Sequence, residues 1–316
     1  MQRRAFLKAG AAIVVSAPFV SCSAASRAVV ARTAESVSRP FSLAAAQVAR
    51  DGLPTHFAIS QSQAYQGGAI KVSADQGTTG TVEVFGRTYA LDPSINGPSG
   101  YVGFGTEDPP GPTYLTIRVT DNGGEPVESV QDIEILQTQW TVDHIIIPPP
   151  DPNAPPPPPG LEDEQGRLNA IYAGVSPRKW RDKWAAPLPL PLAVSGYFGE
   201  QRSFNGGPVQ GHHGGTDLAA DAGTPTYATN DGTVVLAERV LTRGNLVVLD
   251  HGGGIFSCYG HHQELKVKQG DVVSQGDNLG LVGTTGLSTG PHLHWELSVA
   301  GVLVDGLRWL DGTQGF

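Results

Sequence analysis

The chain has 316 residues, enough for two modest domains with short extras. A formal charge of −9 leaves no basic face for phosphate and excludes nucleic acid as a partner, while 41 glycines, 25 prolines and a mean hydropathy of −0.14 suit β-rich domains joined by stiff linkers rather than a membrane bundle. Two cysteines, Cys22 and Cys258, exclude a disulfide framework.

Residues 1–40 read as an export segment and tail. Arg3-Arg4 followed by Phe6-Leu7-Lys8 resembles a twin-arginine signal, and the apolar run Ala9 to Val20 is too short to span a bilayer. Phe19-Val20-Ser21-Cys22 resembles a lipobox, with Phe19 where Leu is usual. It predicts a lipid anchor at Cys22 and places the protein in the periplasm or cell envelope; the competing expectation is ordinary cleavage near Ala24 or Ala25.

Residues 41–147 carry short strands separated by turns. Ala69–Ser73 and Thr81–Phe85 alternate, Thr113–Thr120 is the strongest strand, and Val127–Leu136 returns from the hairpin turn Asp121-Asn122-Gly123-Gly124. Strands at this spacing predict a small β-sandwich. No catalytic cluster falls in it, so it reads as a spacer or as a docking domain with a protein partner.

Residues 148–191 form a linker. Pro148 to Pro159 holds nine prolines in twelve residues. As polyproline II it would be a semi-rigid arm of roughly 35 Å. Leu168, Ile171, Tyr172 and Val175 are near helical spacing and predict one short helix around 162–173, with Ser176-Pro177 starting a further turn.

Residues 192–316 are rich in glycine and valine, with predicted strands at Gly232–Leu236, Asn245–Asp250, Phe256–Tyr259 and His294–Val299. The fold class is all-β: a sandwich, a Pro-rich linker with a short helix, and a C-terminal antiparallel sheet. Seven of the nine histidines lie between His212 and His294, a clustering that core filling does not explain. Two imidazoles, one carboxylate and an open position make a catalytic zinc site. His213, Asp217 and one of His292 or His294 supply such a set by residue type. On a strand His292 and His294 project side by side, so one can bind metal and the other act as base. Spacing alone does not say which.

Residues 194–310 resemble the lysostaphin/LytM-type zinc metallopeptidases, which cut peptidoglycan peptides. His213-Gly214-Gly215-Thr216-Asp217 matches the family's His-x-Gly-x-Asp motif, Tyr259-Gly260-His261 its Tyr-x-His motif, and Gly290-Pro291-His292-Leu293-His294 its His-x-His motif with lead-in. Connecting pieces such as Gly196-Tyr197-Phe198-Gly199 and Gly280-Leu281-Val282-Gly283 match as well. The resemblance implies one zinc ion per chain, held by His213, Asp217 and His294, with His292 and His261 as catalytic histidines. It implies that His292 takes the proton of the attacking water or holds it hydrogen-bonded and that His261 stabilises the oxyanion, with the exchange of these two roles left open, and that the substrate is peptidoglycan peptide. The β module is similar to the domain that often precedes exported members. An alternative is a non-catalytic regulator of another wall hydrolase, a role that members lacking ligands fill; all five side chains are present here.

The remaining residues receive structural readings. His144 reads as a surface or strand residue and His251 as a hairpin-turn residue in Asp250-His251-Gly252-Gly253-Gly254. His212 and His262 read as neighbours of the site, and Glu296 as a strand residue. Arg202 and Asn205 stand where the family has similar residues. Cys258 is expected to face away from both Tyr259 and His261 on a regular strand.

Overall fold

Alternating β-branched and aromatic residues drive the chain into sheets, and a computed structural model describes residues 55–94, 96–120, 126–146, 163–312, 314 and 316. The export segment, the Asp121–Gly124 turn and the Pro-rich run lie outside these residues. No helix among the described residues is long and apolar enough to cross a membrane.

The first module is two sheets face to face. One has three strands in the order Phe57–Ile59, Ala69–Ala74, Ser99–Gly103. The other has five, in the order Gln63–Tyr65, Val127–Leu136, Gly111–Thr120, Thr79–Val84, Arg87–Leu91. Ile70, Val72, Val102, Val82, Leu115, Ile117 and Ile135 are fully buried between them. The same apolar cluster continues through Ile255, Leu297, Val299 and Trp309 of the C-terminal domain, so the two parts share a core. The strand Val142–Ile145 leaves the module and pairs in parallel with Gln201–Phe204.

The helix runs Glu164–Tyr172, close to its predicted span. Glu164, Leu168 and Tyr172 are buried along one stripe at i, i+4, i+8. Leu168 and Tyr172 pack on Leu246, Val248, Phe256 and Cys258. The turn expected at Ser176-Pro177 is absent: residues 174–180 have no regular structure, and the backbone N–H groups of Lys179 and Trp180 donate to His251 O at 2.8 and 3.1 Å instead.

The C-terminal sheet is antiparallel, in the order Val194–Gly196, Thr216–Ala219, His292–Val299, Ile255–His262, Asn245–Gly252, Gly232–Arg239, Val272–Val273. Val302–Val304 pairs with the end of His292–Val299. Two expectations need correction. His251 is not in the turn: Gly252, Gly253 and Gly254 take it with φ of 81°, 62° and 74°, leaving His251 fully buried in the strand. The strand carrying His261 is also not regular. Asn245 pairs with His262 and Val247 with Tyr259, so Gly260 and His261 together face Leu246 alone, and His261 takes φ 64°. This is a β-bulge, and it switches His261 to the face of Cys258 and His262 to the face of Tyr259.

Candidate active site

Strand pairing brings the motifs together. Asp217 is directly opposite His294, and Ala219 opposite His292. Gly260 is opposite His294 on the other side. His213 enters from the loop just before Thr216–Ala219. A Cβ at Gly215 would lie 2.5 Å from Trp295 O and 3.0 Å from His294 Cε1, so only glycine lets this loop lie on the His294 strand.

Three donor atoms converge. His213 Nε2 is 3.2 Å from Asp217 Oδ1 and 3.1 Å from His294 Nδ1, and His294 Nδ1 is 2.7 Å from Asp217 Oδ1. Ligands at about 2.0–2.1 Å around a tetrahedral metal are about 3.3 Å apart. The donor triangle is slightly tighter than that, and its chemistry fits a metal ion.

The outward atoms of all three side chains are fixed. His213 Nδ1 donates to Tyr197 O at 3.0 Å, which leaves Nε2 as a lone pair facing inward. Arg202 Nη2 holds Asp217 Oδ2 at 2.9 Å. His294 Nε2 donates to Glu296 Oε1 at 2.9 Å and turns Nδ1 inward. Burial pulls the pKa of His213 below its usual value. Burial also opposes a charge on His294, but Asp217 and Glu296 outweigh it and raise its pKa. The spot between these carboxylates therefore favours a positive charge, which a proton or a metal ion can supply in competition.

The other two histidines stand beside this triangle. His292 Nδ1 donates to Gly290 O at 2.8 Å, and its Nε2 is 3.7 Å from Asp217 Oδ1. His261 Nδ1 donates to Thr285 O at 2.7 Å, and its ring lies 4.6 Å from that of His292. Burial, followed by the neighbouring His294, pushes the His261 pKa down to about 3. With Nδ1 held by a backbone carbonyl in each ring, Nε2 is the nitrogen left to face the cleft. The site opens into a cleft of about 490 Å³, walled by Ile145 of the first module, Glu164 of the helix, Leu241 and Leu287.

The structure gathers all five predicted residues, His213, Asp217, His261, His292 and His294. His212 lines the cleft, its Nδ1 2.6 Å from Gly199 O and its Nε2 2.8 Å from Glu107. His262 does not reach the cleft: it is fully buried on the opposite face, its Nε2 2.8 Å from Thr226 Oγ1. Cys258 faces away from Tyr259 as expected, but the bulge places His261 on the Cys258 side. Glu296 was read only as a strand residue, yet it grips His294. The signal was available, because the period-two rule that aligns His292 with His294 extends to Glu296. Arg243, which bonds Glu296 Oε1 through Nε at 2.7 Å, had no sequence signal.

Comparison with known proteins finds likeness over the stretch that carries this site. Residues 211–306 match the model for peptidase family M23. The peptidoglycan DD-endopeptidase ShyA of Vibrio cholerae is 45% identical over 96 residues, covering 30% of this chain and 22% of that protein. The DD-carboxypeptidase/endopeptidase Mpg of Neisseria meningitidis is 42% identical over 89 residues, 28% of this chain and 20% of that protein. The chain thus spans about a fifth of the length of these curated relatives. A solved Pseudomonas aeruginosa protein assigned to peptidase M23 superposes with a TM-score of 0.58 at 26% identity, covering 78% of this chain and 94% of that one. The likeness to it therefore extends beyond the C-terminal sheet. With the matching residues and the His213–Asp217–His294 donor set on one face of that sheet, residues 211–306 form a peptidase M23 domain of the lysostaphin/LytM type.

Proposed function

We propose that this chain is a zinc endopeptidase that hydrolyses peptide bonds in bacterial peptidoglycan, in stem peptides or their cross-links. The observation that carries the reading is the convergence of His213 Nε2, Asp217 Oδ1 and His294 Nδ1 with their outward atoms already bonded. A bound zinc ion supplies polarisation of the scissile carbonyl and a water of lowered pKa. The chain's own residues do the rest. His292 Nε2 accepts the proton of the attacking water. The neutral His261 ring offers a lone pair rather than an N–H, so its oxyanion role follows only when it carries a proton. The His261 and His292 ring centroids lie 4.6 Å apart, and whichever ring carries the proton donates it to the developing oxyanion or the leaving amine. The substrate reading is supported by the endopeptidase relatives and by a cleft open enough for a peptide.

Export through the twin-arginine segment and a lipid anchor at Cys22 complete the proposal and place the enzyme at the cell envelope. Digestion of purified sacculi, with products identified by mass, tests the function. New amino termini within stem peptides or cross-links are expected, abolished by a chelator and restored by zinc. Release of glycan fragments alone, or cleavage indifferent to chelator, would sink the reading. Membrane fractionation of wild type against Cys22→Ala tests the anchor, which fails if both remain soluble.

A further inference from the structure

One oxygen of Glu296 is shared. Its Oε1 accepts His294 Nε2 at 2.9 Å, Arg243 Nε at 2.7 Å and Arg243 Nη2 at 2.6 Å, while Oε2 accepts the Tyr172 hydroxyl at 2.9 Å. Arg243 turns its other side to Glu164, with Nη1 2.6 Å from Glu164 Oε1. That same carboxylate accepts the backbone N–H of Thr242 at 2.6 Å and of Arg243 at 3.3 Å. Arg243 O in turn accepts the backbone N–H of His261 at 2.7 Å. Glu164 and Tyr172 are the first and last residues of the helix, and both lie outside the family match at 211–306.

We infer that the helix Glu164–Tyr172 is part of the metal centre's support, with Glu164 and Tyr172 as positioning residues that set the orientation and basicity of His294 through Arg243 and Glu296. The inference rests on the metal reading above. Its physical basis is charge sharing. Arg243 is buried between two carboxylates, so neither takes its full charge. Without the Glu164 charge, Arg243 pairs with Glu296 alone and draws that carboxylate away from His294 Nε2. The imidazole then becomes a weaker and less oriented ligand. The contact to the Thr242–Arg243 backbone also holds the turn that pairs with the His261 bulge, which bears on His261 and not on zinc affinity.

The test measures zinc affinity of the full chain by competition with a chromophoric chelator, beside the melting temperature of the metal-free protein. Glu164→Gln is expected to weaken zinc binding about 10- to 100-fold, the size found when ligand-orienting partners are removed. Tyr172→Phe, which deletes a single hydroxyl, is expected to weaken it by less and serves if Glu164→Gln fails to fold. Arg167→Ala on the same helix, half-buried and paired with Glu238, is expected to leave zinc affinity unchanged. In a Glu296→Gln background the effect of Glu164→Gln should vanish, since the route runs through Glu296. Unchanged zinc affinity in both helix variants, or an undiminished effect of Glu164→Gln in the Glu296→Gln background, overturns the inference alone. A wild-type chain that binds no zinc overturns the metal reading with it.

Discussion

The C-terminal sheet buries histidines on both faces, and the two sets differ in what their ring nitrogens meet. On one face both nitrogens of each ring are consumed. His251 bonds Asp231 O at 2.7 Å and Ser257 Oγ at 2.6 Å; His262 bonds Thr226 Oγ1 at 2.8 Å and Asn245 O at 3.2 Å. On the other face His213, His261 and His292 each anchor Nδ1 on a backbone carbonyl and turn Nε2 into the cleft. His294 does the reverse, anchoring Nε2 on Glu296 and presenting Nδ1. Burial alone does not separate the sets. On the cleft face one nitrogen of each ring is fixed and the other is aimed at or beside the His213–Asp217–His294 cluster, whereas on the opposite face both nitrogens are spent on separate structural partners.

If the two faces differ in this way, substitutions on them must fail differently. Asp217→Ala is expected to have the largest effect, abolishing peptide cleavage, because it removes the only carboxylate in the donor triangle. His261→Ala is expected to lower kcat by 10²- to 10⁴-fold, the usual worth of a positioned acid or base, with the protein folded and metal retained. Activity assays with metal analysis check both; a His261→Ala enzyme at full rate would remove it from the mechanism. On the opposite face His262→Ala should cost on the order of 2–4 kcal/mol of stability through a cavity and the loss of its bonds to Thr226 Oγ1 and Asn245 O, yet leave the rate of the folded fraction near wild type. Denaturant titration beside kcat checks this, and a specific loss of rate would break the contrast between the faces.

The same contrast gives a pH dependence. Burial pushes the pKa of His251 and of His262 down to about 4. The unfolded chain, with ordinary histidines near 6.5, binds more protons than the folded chain between about 6.5 and 4. Stability is therefore full above the unfolded value and falls as pH drops through that window, by on the order of 2–3 kcal/mol for each histidine. Melting curves from pH 7 to pH 4 check this, and His262→Phe should flatten the fall. The smallest effect is expected from His144→Ala on the exposed strand, within about 0.5 kcal/mol in stability and without change in activity.

Much of this was legible in the sequence. The strands follow from alternation, the helix from Leu168 and Tyr172 at helical spacing, and the five site residues from motifs matched in order. What escaped depends on long-range packing. The bulge at Gly260–His261 cannot be read from period-two alternation, which it breaks, and it decides which of His261 and His262 reaches the cleft. The turn after His251 was misplaced because three consecutive glycines, not the histidine before them, take the left-handed backbone. The parallel pairing of Val142–Ile145 with Gln201–Phe204 joins segments about 60 residues apart and has no local signature. The grip of Glu164 and Arg243 on Glu296 likewise joins distant parts of the chain, and only the fold brings them together.

The central claim is that His294 and His292, two residues apart on one strand, divide the work of binding metal and moving a proton. Zinc stoichiometry measured on purified His294→Ala and His292→Ala proteins, beside their activity on sacculi, tests it most directly. The account predicts that His294→Ala loses both zinc and activity, while His292→Ala keeps one zinc per chain and loses activity. Zinc retained by His294→Ala and lost from His292→Ala would contradict it.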